Sequence, residues 1–173
     1  MIPERYQRNL GTLGEEGQKK LFNSHIAIVG AGGLGGTLFE ILLRAGVGNI
    51  TIIDYDAFEQ SNLNRQLLSS VKNIGTKKAE AAKKRAAEIN PDAKITALDT
   101  KLTPENAIKL LRNVEIVCDC VDAIPLRFTI QKAAHSLNIP MVHAAVAGTF
   151  GQLMTVFPNQ PGVEEIYGDP DIV

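Results

Sequence analysis

The sequence contains no tryptophan and only two cysteines, Cys118 and Cys120, among its 173 residues. Thiols at that spacing cannot close a useful loop, which excludes a disulfide-stapled secreted scaffold. Neither sign of charge dominates: 18 Lys and Arg stand against 19 Asp and Glu. Composition therefore offers no basic footprint for nucleic acid and no disordered acidic tail. No apolar run approaches the ~18 residues that a membrane-spanning helix needs. The opening Met1-Ile-Pro-Glu-Arg-Tyr-Gln-Arg lacks the basic-then-apolar layout of a secretory leader. The expectation is a cytoplasmic protein with no membrane or nucleic-acid partner. What is present, 45% hydrophobic residues, suffices to fill the core of one domain over residues 1–173.

The apolar residues alternate between two patterns. Short runs at His25–Val29, Asn49–Asp54, Lys94–Leu98, Val114–Val121 and Pro140–Ala145 read as strands, with one more at Gly151–Phe157. Between them, Thr37–Ala45, Lys77–Ile89, Pro104–Leu111 and Leu126–Asn138 carry helical spacing. Gly46 closes the first of these helices, Asn90-Pro91 stops the second, and Thr103 is a cap for the third. Strand and helix alternating up to a final pair of strands predict a Rossmann-like, doubly wound α/β fold, a mostly parallel sheet with helices on both faces. Residues 1–24 are expected to form a helical arm. Residues 158–173, rich in Pro, Gly and Asp, are expected to be a loop at a truncated or disordered end.

Gly30-Ala31-Gly32-Gly33-Leu34-Gly35 satisfies G-x-G-x-x-G between the first strand and the first of these helices. Glycine is needed there for a tight turn, for close approach of a phosphate, and for helix–sheet packing. The helix N-terminus then presents free N–H groups and partial positive charge to an anion. Asp54 ends the second strand, where a carboxylate can accept from ribose hydroxyls. These features imply a nucleotide and leave its identity open between NAD(P) and ATP.

The next segment is idle in a dehydrogenase. Asp56, Asn62, Arg65 and Gln66 crowd the loop after the second strand, Lys78 opens the next helix, and Asp122 ends the fourth predicted strand. Loops at the carboxyl ends of parallel strands face the ligand crevice. One Arg, one Lys and one Asp around a helix N-terminus suit a triphosphate with Mg²⁺: the cations neutralise phosphate charge and the carboxylate holds the metal.

At this point the residues resemble a family, the activating enzymes of ubiquitin-like and sulfur-carrier proteins, or MoeB/ThiF/HesA adenylyltransferases. The resemblance is carried by Arg5-Tyr-Gln-Arg8, Gly14-Glu-Glu-Gly-Gln, Val29-Gly-Ala-Gly-Gly-Leu-Gly, Ala45-Gly-Val-Gly and Asp54-Tyr-Asp. Ser61-Asn-Leu-Asn-Arg-Gln, Gly75-Thr-Lys-Lys-Ala, Asn90-Pro-Asp and Gly151-Gln-Leu-Met-Thr-Val-Phe continue it. It implies that Gly32 and Gly35 lie against phosphates, that Asp54 binds the ribose, and that Asn62, Arg65 and Gln66 lie near the phosphates. Arg65 and Lys78 would be the main charge stabilisers and Asp122 the Mg²⁺ ligand. Arg8 matches an arginine that reaches the neighbouring subunit's site, which implies a homodimer. The implied reaction is ATP-dependent adenylation of the C-terminal glycine of a ubiquitin-like sulfur-carrier protein ending in Gly-Gly, with release of pyrophosphate.

Many relatives carry two C-x-x-C pairs for structural zinc, and the stretch Pro158–Gly168 has no cysteine, so no zinc site is expected. Cys118 and Cys120 read as core packing, and His25, His135 and His143 as structural, because none has ligand spacing. The rival functions are an NAD(P)-dependent oxidoreductase, an inactive nucleotide-binding module, and a relative that adenylates another kind of substrate.

Overall fold

The structure, a computed structural model, describes residues 1–168. A 3-10 turn at Glu4–Asn9 leads into α1 (Leu10–Asn23), which kinks where Gly14 takes a positive φ of 65°. Then follow β1 (His25–Val29), α2 (Gly33–Ala45), β2 (Asn49–Ile53), α3 (Lys78–Ile89) and β3 (Lys94–Leu98). The second half runs α4 (Ala107–Leu110), β4 (Ile116–Asp119), α5 (Ile124–Leu137), β5 (Met141–Ala147), β6 (Phe150–Val156) and α6 (Glu164–Tyr167). The strands lie in the order β3-β2-β1-β4-β5-β6, with every neighbouring pair parallel except β5 and β6. The Rossmann-like doubly wound α/β sheet expected from the sequence is present. The chain winds outward from β1 to β3 and returns to β4 on the other side of β1. Such a reversal opens a crevice at the carboxyl ends of β1 and β4.

The central strands β1, β2 and β4 are buried on both sides because helices cover both sides. Ile26 and Ile28 face one way, with Phe39 and Leu43 of α2 and Ala79, Ala82 and Ala86 of α3. Ala27 and Val29 face the other, with Leu111, Val114, Ile130, Ala134 and Met141. Helix α2 stops at Gly46, whose φ of 98° is the left-handed cap that glycine adopts at least cost. Asn138 (φ 54°) does the same for α5. The N-terminal arm is tied down by Asn90, which donates to the Tyr6 hydroxyl (2.8 Å) and the Leu43 carbonyl (3.2 Å).

Several boundaries depart from the sequence reading. Helix α2 begins at Gly33 rather than Thr37, because the glycines themselves make its first turn. The expected helix at 104–111 shrinks to α4, since Asn106 accepts from the Thr103 N–H (2.8 Å) and Thr103 supplies no cap. The expected strand at 114–121 is only Ile116–Asp119, because beyond it the Asp119 carboxylate takes the Val121 N–H and turns the chain away. Residues 158–163 form a loop, but Glu164–Tyr167 is a helical turn tied to Gln131 of α5, and Val163 is fully buried. Residues 169–173 of the expected terminal loop lie outside the described residues. No helix among the described residues is long and apolar enough to cross a membrane.

The layer of α2 and α3 is joined by Glu40, which accepts from Arg44 (2.7 Å) and from both Nε and Nη2 of Arg85 (3.1 Å each). The Arg85 hydrogen bonds above all hold its carboxyl below the ordinary value of 4.5. A carboxylate with a lower pKa folded than unfolded stabilises the fold above 4.5 and loses that contribution as pH falls through the folded value. Glu40→Gln is expected to cost about 2 kcal/mol at neutral pH. In urea denaturation across pH, the gap between the variant and the natural protein should close on the acid side.

Candidate functional site

The carboxyl ends of β1, β2 and β4 surround a cleft of about 1080 Å³. Its floor is the glycine loop. Gly30 has a φ of 93°, and a β-carbon there would meet the Cys120 carbonyl. A β-carbon on Gly35 would overlap the Gly30 carbonyl oxygen, so this glycine lets α2 seat on β1 and does not line the cleft. Gly32 and Gly33 do line it, the first as the residue preceding α2. No side chain caps the α2 N-terminus, so its N–H groups remain available to a ligand.

Asp54 fastens this loop to β2. Its Oδ2 accepts from the Ala31 N–H at 2.7 Å and its Oδ1 from the Asp56 N–H at 2.8 Å. Burial pushes its carboxyl above the ordinary 3.8, against the pull of those two N–H groups and of Lys78. Lys78, the first residue of α3, is 7% exposed, and its Nζ lies 3.0 Å from Asp56 Oδ2. The ion pair offsets the cost of enclosing the lysine's charge.

The other expected residues divide. Arg65 is exposed on the cleft rim, and its Nη1 is held by the Ser61 carbonyl (2.9 Å) and the Asn64 side chain (3.0 Å). Gln66 is buried against Gly32, and its Oε1 has no partner among the described residues. Asn62 turns into its own 3-10 turn, where its Oδ1 accepts from the Glu59 N–H (3.0 Å), and it does not line the cleft. Asp122 lines the opposite wall, exposed, in the loop leading to α5 rather than at the end of a strand. The acid that ends β4 is Asp119. Arg8 is exposed on the N-terminal 3-10 turn and stands apart from the chain's own cleft.

The described residues contain no cluster of three or more His, Cys, Asp or Glu suited to hold a metal alone. Magnesium does not need one, because it binds through one or two carboxylates together with nucleotide phosphates. Asp122, facing the cleft across from Lys78, fits that use. Burial, and secondarily Asp119, pushes the Cys118 thiol up to about 11, and burial pushes Cys120 higher still. Both pack on the α2 side of the sheet, in the state of inert thiols.

The sequence reading missed a buried polar group beside the cleft. Asp119 and His143 are both fully buried, 2.7 Å apart, and face each other in the β4–β5 register. Arg127 is buried on the cleft wall, and the Tyr167 hydroxyl bonds both to it and to His143. An acid and a histidine interrupting apolar runs of two core strands are the only local signal of this arrangement.

The fold and the cleft define an α/β protein of the doubly wound class with a glycine loop at its crevice. More narrowly, the chain belongs to the ThiF family, which it matches over residues 6–171. It is 38% identical over 152 residues to a sulfur carrier protein adenylyltransferase of Thermus thermophilus, covering 87% of this chain and 56% of that protein. To the sulfur carrier protein ThiS adenylyltransferase of Escherichia coli it is 36% identical over 156 residues, covering 89% and 62%. The chain thus spans somewhat over half the length of these relatives. Among solved structures it is similar to the E. coli tRNA N6-threonylcarbamoyladenosine dehydratase TcdA in complex with ATP. That likeness has a TM-score of 0.82 at 29% identity, over 87% of this chain and 64% of that one. E. coli MccB gives a TM-score of 0.84 at 26% identity, over 92% and 50%.

Two glycines in one loop should therefore respond differently to the same change. Gly35→Ala puts a β-carbon into backbone that cannot move aside and is expected to cost about 3 kcal/mol. Gly33→Ala meets only ordinary contacts at Arg65 and should stay within about 0.5 kcal/mol. Urea denaturation of the two variants compares them directly.

Proposed function

We propose that the cleft binds ATP with Mg²⁺ and that the protein adenylates the C-terminal glycine carboxylate of a ubiquitin-like sulfur-carrier protein, as a cytoplasmic homodimer. The observation that carries this reading is Lys78, a cation buried in the cleft wall beside an uncapped helix N-terminus and opposite Asp122. Hydride transfer has no use for that set of charges, whereas a triphosphate does. The complex of the TcdA relative with ATP and the adenylyltransferase names of the sequence relatives support it.

Each residue then has a distinct task. Gly32 and Gly33 let phosphate oxygens approach the backbone, and the α2 N–H groups meet them. Asp54 keeps the loop in place through Ala31 and has lone pairs left for a ribose hydroxyl. Lys78 and Arg65 neutralise charge as the bond from the α-phosphorus to the pyrophosphate oxygen breaks. Gln66 adds a polar contact beside Gly32. Asp122 would hold the Mg²⁺, whose charge would help neutralise the phosphates. The attacking carboxylate is ionised at neutral pH, so positioning replaces general-base catalysis. Arg8, exposed and remote from its own cleft, is available to a second subunit's site.

ATP–pyrophosphate exchange in the presence of a carrier ending in Gly-Gly tests this. Arg65→Ala and Asp122→Ala are each expected to lower exchange by about 100-fold, while exposed positions of this kind leave stability within about 0.5 kcal/mol. Unchanged exchange in either variant removes that residue from the site. Mixing Arg8→Ala with Arg65→Ala protein should restore exchange if sites are shared, and no recovery on mixing contradicts sharing.

A further inference from the structure

Asp122 stands on an exposed loop, where a carboxylate that is to hold a cation needs its backbone fixed. Four side chains from four elements close a ring of hydrogen bonds on the peptide of Val121, the residue just before it, and a fifth, Gln152, braces the ring from β6. The Val121 N–H donates to Asp119 Oδ1 (3.1 Å), and Arg127 Nη2 donates to the Val121 carbonyl (2.9 Å). Arg127 Nη1 and Gln152 Nε2 both donate to the Tyr167 hydroxyl. Those two donors fill the acceptor positions of a hydroxyl, so its own proton goes to His143 Nε2 at 3.1 Å. His143 therefore carries its proton on Nδ1 and donates it to Asp119 Oδ2 at 2.7 Å. Donor counting leaves each of these bonds one direction, and the ring returns to Asp119.

The ring lies inside the protein. Asp119 and His143 are fully buried, Arg127 is 6% exposed, and its guanidinium lies 5.0 Å from the centre of the Tyr167 ring. In such surroundings a broken member leaves buried polar groups without partners, so the arrangement holds or fails as a unit. Val121 is gripped on both its N–H and its carbonyl, which fixes the direction in which the next residue leaves. Asp122 leaves toward the cleft.

We propose that this ring positions the metal-binding carboxylate, with Arg127 and Tyr167 as positioning residues that act through Val121. The proposal rests on the reading of Asp122 as the Mg²⁺ ligand. It gives α6 a purpose as well: its tyrosine closes the ring, so the segment after β6 is coupled to the cleft without lining it.

The test is calorimetric titration of Mg²⁺ into the 173-residue chain saturated with a non-hydrolysable ATP analogue, and of the analogue alone in EDTA. Tyr167→Phe removes the hydroxyl that closes the ring while keeping the aromatic side chain; it is expected to weaken Mg²⁺ about tenfold, as loss of a partner behind a metal ligand does. Analogue affinity in EDTA should be unchanged, which a general loosening of the cleft would not allow. Arg127→Lys keeps the charge but cannot span Tyr167 and Val121, so it should weaken Mg²⁺ likewise. Gln152→Met, at a half-buried position, guards against misfolding and should weaken Mg²⁺ about threefold through loss of the contacts to Tyr167 and His143. Natural Mg²⁺ affinity in any of these folded variants, or an equal loss of analogue affinity in EDTA, overturns the proposal alone. If the unaltered chain takes up no Mg²⁺ with the analogue, the reading of Asp122 fails first and the ring's role with it.

Discussion

The carbonyl of Gly30 occupies the space that any side chain at position 35 would need. That single close approach lets α2 descend onto the end of β1, and most of the cleft follows from it. With α2 so low, its first N–H groups point into the crevice and Gly32 and Gly33 become the floor. The Ala31 N–H comes within reach of Asp54 on the neighbouring strand, which stitches the loop to β2. Glu40 then ties α2 to α3 through Arg85, and α3 begins with Lys78. A backbone contact between two glycines thus sets where the cations of the site stand.

The electrostatics of the cleft depend on local placement, because the whole chain is nearly neutral. Asp54 is costly to ionise where it lies, and two N–H groups and a lysine offset that cost. Lys78 has the converse need for an anion nearby, which Asp56 supplies in the free protein. A phosphate group would meet the same need more fully, since it carries more charge. The reaction proposed asks little else of the protein: an ionised carboxylate needs no base, and the buried thiols of Cys118 and Cys120 have no part in it.

The strands, the burial of the central ones on both faces and the glycine loop were legible because each is a local pattern. Ile26, Ile28, Ile50 and Ile52 declare a buried parallel sheet by themselves. Asn62 was misleading because its residue type suits a phosphate contact, while its side chain closes a 3-10 turn that no periodicity reveals. Asp122 looked like a strand end because apolar residues continue through Val121, and only the Asp119 carboxylate turning back on Val121 shows where β4 stops. The ring of Asp119, His143, Tyr167 and Arg127, with Gln152 bracing it, had no local signature. These residues come from five elements and meet through sheet register and the path of α6, which are long-range consequences of folding.

The most direct measurement is thermal unfolding of the chain with Mg²⁺ and ATP, with NAD and with NADP at matched concentration. A ligand at about 100 times its Kd stabilises by about 2.7 kcal/mol, which raises the midpoint of a protein this size by several degrees. Stabilisation by Mg²⁺ and ATP that EDTA diminishes, with none from either dinucleotide, is the expected result. Stabilisation by NAD or NADP, or none by Mg²⁺ and ATP, contradicts the assignment of Lys78, Arg65 and Asp122 to a triphosphate.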